Sequence, residues 1–251
     1  MKHENPLIAI IGGTGLDSID ELVIDSTQII QTPYGSPSAP LQFGHLFGRP
    51  IVFLPRHGSD HRLPPHKINY RANIAALSKV GIEKILGVTA VGGIAENAPP
   101  RSIVLPHQLI DYTYGREHTF FDGVDGLLEH IDFTNPLCPQ LRKDLHNAAT
   151  QISLSITTAG VYGVTQGPRL ETAAEIHRMA ADGCTVVGMT AMPEAALARE
   201  LEINYANCSI VVNWAAGIST EEITMQHIVD NLAAAQKDFK ALLEAWLSAD
   251  Y

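Results

Sequence analysis

Seven short apolar runs recur along the chain, each the length of a strand and most of them continuously apolar: Leu7 to Ile11, Ile51 to Leu54, Ile85 to Val91, Ile103 to Ile110, Ala159 to Thr165, Thr185 to Thr190 and Ser209 to Val212. A strand with one wet face alternates apolar and polar residues; unbroken runs belong to strands buried on both faces. Helical patterns fill the intervals. Ile68 to Val80 ends at Gly81, a natural C-cap glycine. Glu171 to Ala181 ends near Gly183, and Pro193 to Leu201 opens with a proline suited to a first helical turn. In the last segment Met225, Ile228, Val229, Leu232, Phe239, Leu242, Leu243, Trp246 and Leu247 fall on one helical stripe. This alternation predicts an α/β fold with a largely parallel or mixed sheet flanked by helices. No Pro/Gly/Ser linker and no repeat of 20–50 residues interrupts it, so residues 1–251 are expected to form one domain. Thr32 to Pro40 and Tyr112 to Asp125, rich in Gly, Pro, Ser and aromatics, are expected to be long loops bordering a site.

Composition narrows the partners. With 17 Lys plus Arg against 27 Asp plus Glu, a net charge of −10 and no basic block, the chain lacks the footprint of a nucleic-acid binder. No apolar run approaches the ~20 residues of a membrane helix. The N-terminus has no basic stretch followed by a long apolar one, which predicts no secretory signal and a cytoplasmic protein. Cys138, Cys184 and Cys208 form no CxxC pair, so neither a disulfide framework nor a zinc cluster is supported.

Ligands of open α/β sheets bind beyond the carboxyl ends of the strands. The first strand runs into Gly12-Gly13-Thr14-Gly15, where glycines let backbone N–H groups approach an anion and Thr14 adds a hydroxyl. The spacing is neither GxGxxG nor a Walker A loop, and an ordinary tight turn is the alternative. The second run delivers Pro55-Arg56-His57-Gly58, then His61 and His66. Arg56 beside His57 is equipment for an oxyanion. A surface salt bridge is the plainer reading of Arg56. A histidine metal site is poorly supported without a carboxylate cluster and with a cation adjacent. Three further strand ends read Gly-x-Thr: Gly87-Val88-Thr89, Gly163-Val164-Thr165 and Gly188-Met189-Thr190. Hydroxyls, a Gly-rich turn and a basic pair converging on one sheet edge predict an anion pocket.

In this order GGTG, PRHGSDH, TAVGG, TQGPRLET, VGMTAMPEAALA and VVNW resemble the purine nucleoside phosphorylase and methylthioadenosine phosphorylase family, over nearly the whole chain. The resemblance implies a three-layer α/β/α sandwich around a mixed, partly barrel-like central sheet, assembled as a homotrimer. It implies phosphorolysis, in which inorganic phosphate is a co-substrate that attacks the ribose anomeric carbon and a purine leaves, with no cofactor and no metal. By position, Thr14, Arg56, His57, Thr89, Ala90 and Thr190 are implied phosphate contacts, Met189 lies under the ribose, and His61 lies near sugar and phosphate. Asn213, with Arg56 and His57 the implied catalytic set, stands beside the purine N7.

The base pocket implied by the resemblance contains Leu170, Glu171, Asn213, Trp214 and Ala215. Adenine-specific relatives carry acidic residues at the positions of Asn213 and Ala215 and a small residue at that of Glu171. The combination of Glu171 with Asn213 is that of 6-oxopurine phosphorylases. A carboxylate accepts from the N1–H of hypoxanthine, and an amide serves O6 and N7. Adenine instead turns a lone pair toward that carboxylate. A helix-terminal role under the macrodipole is the alternative for Glu171. At the 5′ end of the sugar, aligning the last helix by its stripe places Met225 and Ile228, whereas counting directly from Asn213 places His227. The stripe alignment is preferred, and it implies an apolar pocket for a methylthio group, hence a 6-oxopurine methylthio-nucleoside as substrate. A methylthioadenosine phosphorylase, an inosine/guanosine phosphorylase, a dinucleotide-dependent oxidoreductase and a non-catalytic nucleoside binder are the competing readings.

Overall fold

A computed structural model describes residues 7–13, 21–60, 62–123 and 126–249. Its strands are β1 (Leu7–Gly12), β2 (Leu22–Gln28), β3 (Leu41–Leu46), β4 (Arg49–Pro55), β5 (Ile82–Gly93), β6 (Ile103–Asp111), β7 (Thr157–Val164), β8 (Val186–Gly188) and β9 (Asn204–Trp214). Its helices are α1 (Tyr70–Lys79), α2 (Pro139–Gln151), α3 (Ala173–Ala181), α4 (Ala191–Glu200) and α5 (Met225–Ser248), with a 3₁₀ turn at Pro65–Lys67.

The strands form one mixed sheet in the order β2-β3-β4-β1-β5-β8-β7-β6-β9, and β9 returns to pair with β5. That pairing closes β5, β8, β7, β6 and β9 into a ring, while β1, β4, β3 and β2 continue outward as an open wing. The expected mixed, partly barrel-like sheet between helical layers is what the chain forms. Residues of β1 show the layering directly. Ala9 and Ile11 join Ile74 and Leu77 of α1 and Leu197 of α4 in one apolar cluster. Ile8 and Ile10 join Leu141 and Leu145 of α2 and Leu232, Phe239 and Leu243 of α5 in another. Both faces of the strand are covered, which is why its sequence does not alternate.

All seven expected strands are present. The hairpin partners β2 and β3 and the helix α2 are additions. On α5 the buried residues begin at Leu232; Val229, placed on the apolar stripe from sequence, is 50% exposed. Helix α3 begins at Ala173 rather than Glu171. Thr172 caps it, with its side chain accepting from the Glu175 N–H while the Glu175 carboxylate accepts from the Thr172 N–H. Glu171 therefore has no capping duty. The long loop after β6 runs without helix or strand among its described residues until α2.

Candidate active site

Register brings the predicted residues to one edge. Strands β1 and β4 are parallel, with Gly12 opposite Pro55, and β1, β5 and β9 are parallel in turn. Gly13, Arg56, Thr89 and Asn213 thus emerge from neighbouring strands on the same side. Strand β8 runs against β5 with Val187 opposite Gly92, and continuing that register brings Thr190 abreast of Thr89. Between β5 and β9 the register slips so that Val212 has no partner, a bulge immediately before Asn213. The glycines of two Gly-x-Thr sequences make room for tyrosines. A Cβ at Gly87 would lie 2.1 Å from the Tyr205 hydroxyl oxygen, and one at Gly188 would lie 2.1 Å from that of Tyr162.

At this edge opens a cleft of about 430 Å³, within the usual range for small-molecule sites. Arg56, His57, Thr89, Ala90 and Thr190 line it, as do Met189, Leu170, Glu171, Asn213 and Ala215. Met225 and Ile228 line it too, joined by Ile223; His227 does not. Thr14 and His61 lie outside the described residues.

Arg56 behaves differently from expectation. Its side chain is 1% exposed and its fork grips Glu194, 0% exposed, through Nε to Oε1 at 2.5 Å and Nη2 to Oε2 at 3.0 Å. Nη1 and Nη2 also donate to the carbonyls of Val88 and Ile11, at 3.0 and 3.2 Å. Burial lowers the pKa of the guanidinium, but the Glu194 carboxylate outweighs it and holds the group above its ordinary value. Glu194 also accepts from the Tyr205 hydroxyl at 2.9 Å. Burial, then Glu194, pushes that phenol well above its usual range, so it stays protonated and donating. An arginine this deep needs a counter-charge, and most of its donors are spent on its own scaffold. One Nη1 hydrogen remains on the side of Gly13, whose added Cβ would lie 3.3 Å from Nη1.

His57 Nδ1 lies 2.7 Å from the Leu63 carbonyl, which can only accept, so Nδ1 carries a proton. Nε2 then donates to an anion only as the imidazolium. Thr89 Oγ1 donates to the Asn207 Oδ1 at 3.1 Å and lies 3.3 Å from Ser209 Oγ. Thr190 sits at the N-cap position of α4 without capping it. Burial pushes the nearby Tyr162 phenol up to about 12.

Glu171 Oε1 accepts from the Thr165 hydroxyl at 2.5 Å, leaving Oε2 for a ligand donor. The third Gly-x-Thr hydroxyl therefore serves the carboxylate, not the anion pocket expected from the sequence. Asn213 Nδ2 donates to the Trp214 carbonyl at 2.7 Å, which fixes the amide and leaves its second hydrogen and Oδ1. Trp214 meets the site through that carbonyl and does not itself line the cleft. Met189 packs against Gly167, whose φ of +63° and lack of Cβ permit an approach to the Met189 sulfur that a side chain would block. Sequence reasoning missed Glu194, Asn207, Ile223, Arg62 and the Leu63–Pro65 rim. Only Glu194 had a local signal, as an acid in the otherwise apolar run Ala191–Ala198. Among the described residues no three His, Cys, Asp or Glu side chains are grouped to hold a metal ion.

Comparison with known proteins agrees with this architecture. The chain is 52% identical over 241 residues to a probable S-methyl-5′-thioinosine phosphorylase of Pseudomonas syringae pv. tomato, covering 96% of this chain and 98% of that one. It is 45% identical over 243 residues to a probable 6-oxopurine nucleoside phosphorylase of Thermococcus kodakarensis, covering 95% and 90%. Among solved structures, methylthioadenosine phosphorylase from Schistosoma mansoni in complex with adenine superposes with a TM-score of 0.91 at 29% identity, covering 97% of this chain and 91% of that one. The sequence profile described as Phosphorylase superfamily matches residues 7–248, nearly everything from β1 to the end of α5, and the chain belongs to that family.

Proposed function

We propose that the protein catalyses phosphorolysis of S-methyl-5′-thioinosine, giving hypoxanthine and 5-methylthioribose 1-phosphate. One observation carries the reading: Glu171 and Asn213, the apolar Ile223, Met225 and Ile228, and the polar Thr89, Thr190 and His57 all line a single cleft. The names of the relatives at 45–52% identity support the 6-oxopurine half of it.

In this reading a phosphate oxygen forms a bond to C1′ as the C1′–N9 bond breaks, and the electron pair leaves with the purine. The dianion beneath the sugar stabilises the oxocarbenium character that develops. Glu171, held by Thr165, accepts from N1–H. Asn213 donates its remaining amide hydrogen to N7 or accepts from a proton arriving there, which relieves the charge on the departing base. Phosphate is a co-substrate and no cofactor or metal takes part. The homotrimer implied by the resemblance and the cytoplasmic location expected from the sequence belong to the same reading. A second reading, a 6-oxopurine phosphorylase acting on 5′-hydroxyl nucleosides, is favoured by one feature: Met225, at the 5′ end, is 69% exposed.

Base release from methylthioinosine, methylthioadenosine, inosine and adenosine, each with and without phosphate, tests the proposal. Methylthioinosine is expected to be fastest, with sugar 1-phosphate formed in step with hypoxanthine. Equal release without phosphate would make the protein a nucleosidase.

A further inference from the structure

We infer that Arg116, in the long loop after β6, is a positioning residue that fixes the base-recognising and sugar-facing walls of the cleft relative to one another. The inference rests on the proposed phosphorylase reading. Arg116 is nearly buried and touches none of the groups proposed to meet substrate through a side chain; its targets are the main-chain segments that carry them. Nη2 donates to the carbonyls of Thr165 and Gln166, at 3.1 and 2.9 Å, and Nε to the Gln166 side-chain oxygen at 3.1 Å. Nη1 donates to the carbonyls of Met189 and Met192, at 2.8 and 2.6 Å, and to the Tyr70 hydroxyl at 3.3 Å. The guanidinium also lies over the Tyr70 ring, 5.3 Å from its centroid.

Each partner leads to the cleft. Thr165 holds the Glu171 carboxylate. Met189 lines the cleft itself, and the Met189 and Met192 carbonyls flank Thr190. The Tyr70 hydroxyl in turn donates to the carbonyl of Pro65, which also lines the cleft, at 2.9 Å. Burial pushes the Tyr70 phenol up, which keeps its proton available for that bond. Strand ends β7 and β8, the start of α4 and the Pro65 rim are thus keyed to one planar cation. Backbone pairing of β7 with β8 ends at Val164 opposite Gly188, with the Thr165 N–H on the Gly188 carbonyl at 2.8 Å; among the described residues no ladder continues to Gln166, Met192 or the Pro65 rim. A guanidinium presents its donors in a fixed plane and sets distances as well as charge. Reacting groups displaced by about 1 Å can lose roughly 100-fold in rate.

The test compares Arg116→Lys and Arg116→Ala with wild type on whichever nucleoside wild type cleaves fastest, recording kcat, KM and thermal midpoint. Lysine keeps the charge but offers three donors from one atom, so kcat is expected to fall at least ~10-fold with the midpoint little changed. Arg116→Ala is expected to lose roughly 100-fold, and guanidinium chloride at tens of millimolar is expected to restore much of kcat where urea and sodium chloride do not. Wild-type kcat in Arg116→Lys would overturn the inference. So would a loss in folded Arg116→Ala that guanidinium leaves unchanged; if that variant does not fold, Arg116→Lys alone decides. Because every value is a ratio to wild type on its best substrate, a wrong substrate assignment shows up separately, as wild type preferring another nucleoside.

Discussion

Desolvating a guanidinium is costly, and the chain offsets that cost at Arg56 with a carboxylate that is itself fully buried. Removing one partner of such a pair strands the other, typically at about 3–5 kcal/mol. Glu194→Gln, which keeps the shape and removes the charge, is therefore expected to lower the thermal midpoint by roughly 6–20 °C for a chain of this size. A shift below about 2 °C would show that Arg56 takes its counter-charge elsewhere. The Arg56–His57 pair was legible because the two residues are adjacent and end an apolar run. The pairing with Glu194 was not, because that acid, although it stands out in an apolar run, lies 138 residues along the chain and only the fold brings it to Arg56. Likewise the Thr165 hydroxyl looked like a third anion ligand, and only the turn before α3 shows it spent on Glu171. The choice of Met225 over His227 rests on the helical stripe; Met225 lines the cleft and His227 does not, but the buried part of the stripe begins only at Leu232 and Met225 is 69% exposed. A methylthio group against Met225, Ile223 and Ile228 should contribute about 1–3 kcal/mol over a 5′-hydroxyl. Met225→His is expected to shrink the methylthioinosine-to-inosine ratio of kcat/KM by about 10-fold or more; no change would remove Met225 from the 5′ pocket.

Among the elements, the buried strands were readable because covered faces leave an apolar record. Strand β2 was not, since it forms the sheet edge and leaves Val23 and Ile24 exposed, so no burial pattern is written into it. The start of α3 was misjudged by two residues because Glu171 looks like a first-turn acid. The true cap carries its own prediction. Arg169, then the Thr172 N–H, lowers the Glu175 carboxyl from its ordinary 4.5 to about 2. A depressed folded-state pKa contributes stability that is present above the unfolded value and is lost as pH falls from about 4.5 toward 2. Thermal midpoints of wild type and Glu175→Gln should therefore differ near pH 6 and converge as pH drops through that window. A gap that widens in acid would contradict the assigned cap.

At the scale of the whole molecule, the α/β class followed from alternation of strand and helix, whereas closure of five strands into a ring did not. It depends on β9 pairing with both β6 and β5, and nothing local in either strand announces a second partner. The loop after β6 leaves Tyr114, Leu127 and Leu128 exposed, which is apolar surface suited to a neighbouring subunit. The homotrimer proposed from the resemblance predicts about three times the 27.2 kDa chain mass at sedimentation equilibrium; a monomer at micromolar concentration would contradict that proposal. Selection of the base is read out by the ratio of kcat/KM for methylthioinosine over methylthioadenosine in the wild-type protein with saturating phosphate. A site that accepts from N1–H leaves the half-buried Glu171 carboxylate facing a lone pair when adenine enters, a mismatch that can reach ~10⁴–10⁵-fold where the group is fully desolvated. A ratio of about 10³ or more is expected; a ratio of one or below would show that Glu171 and Asn213 do not select the 6-oxopurine.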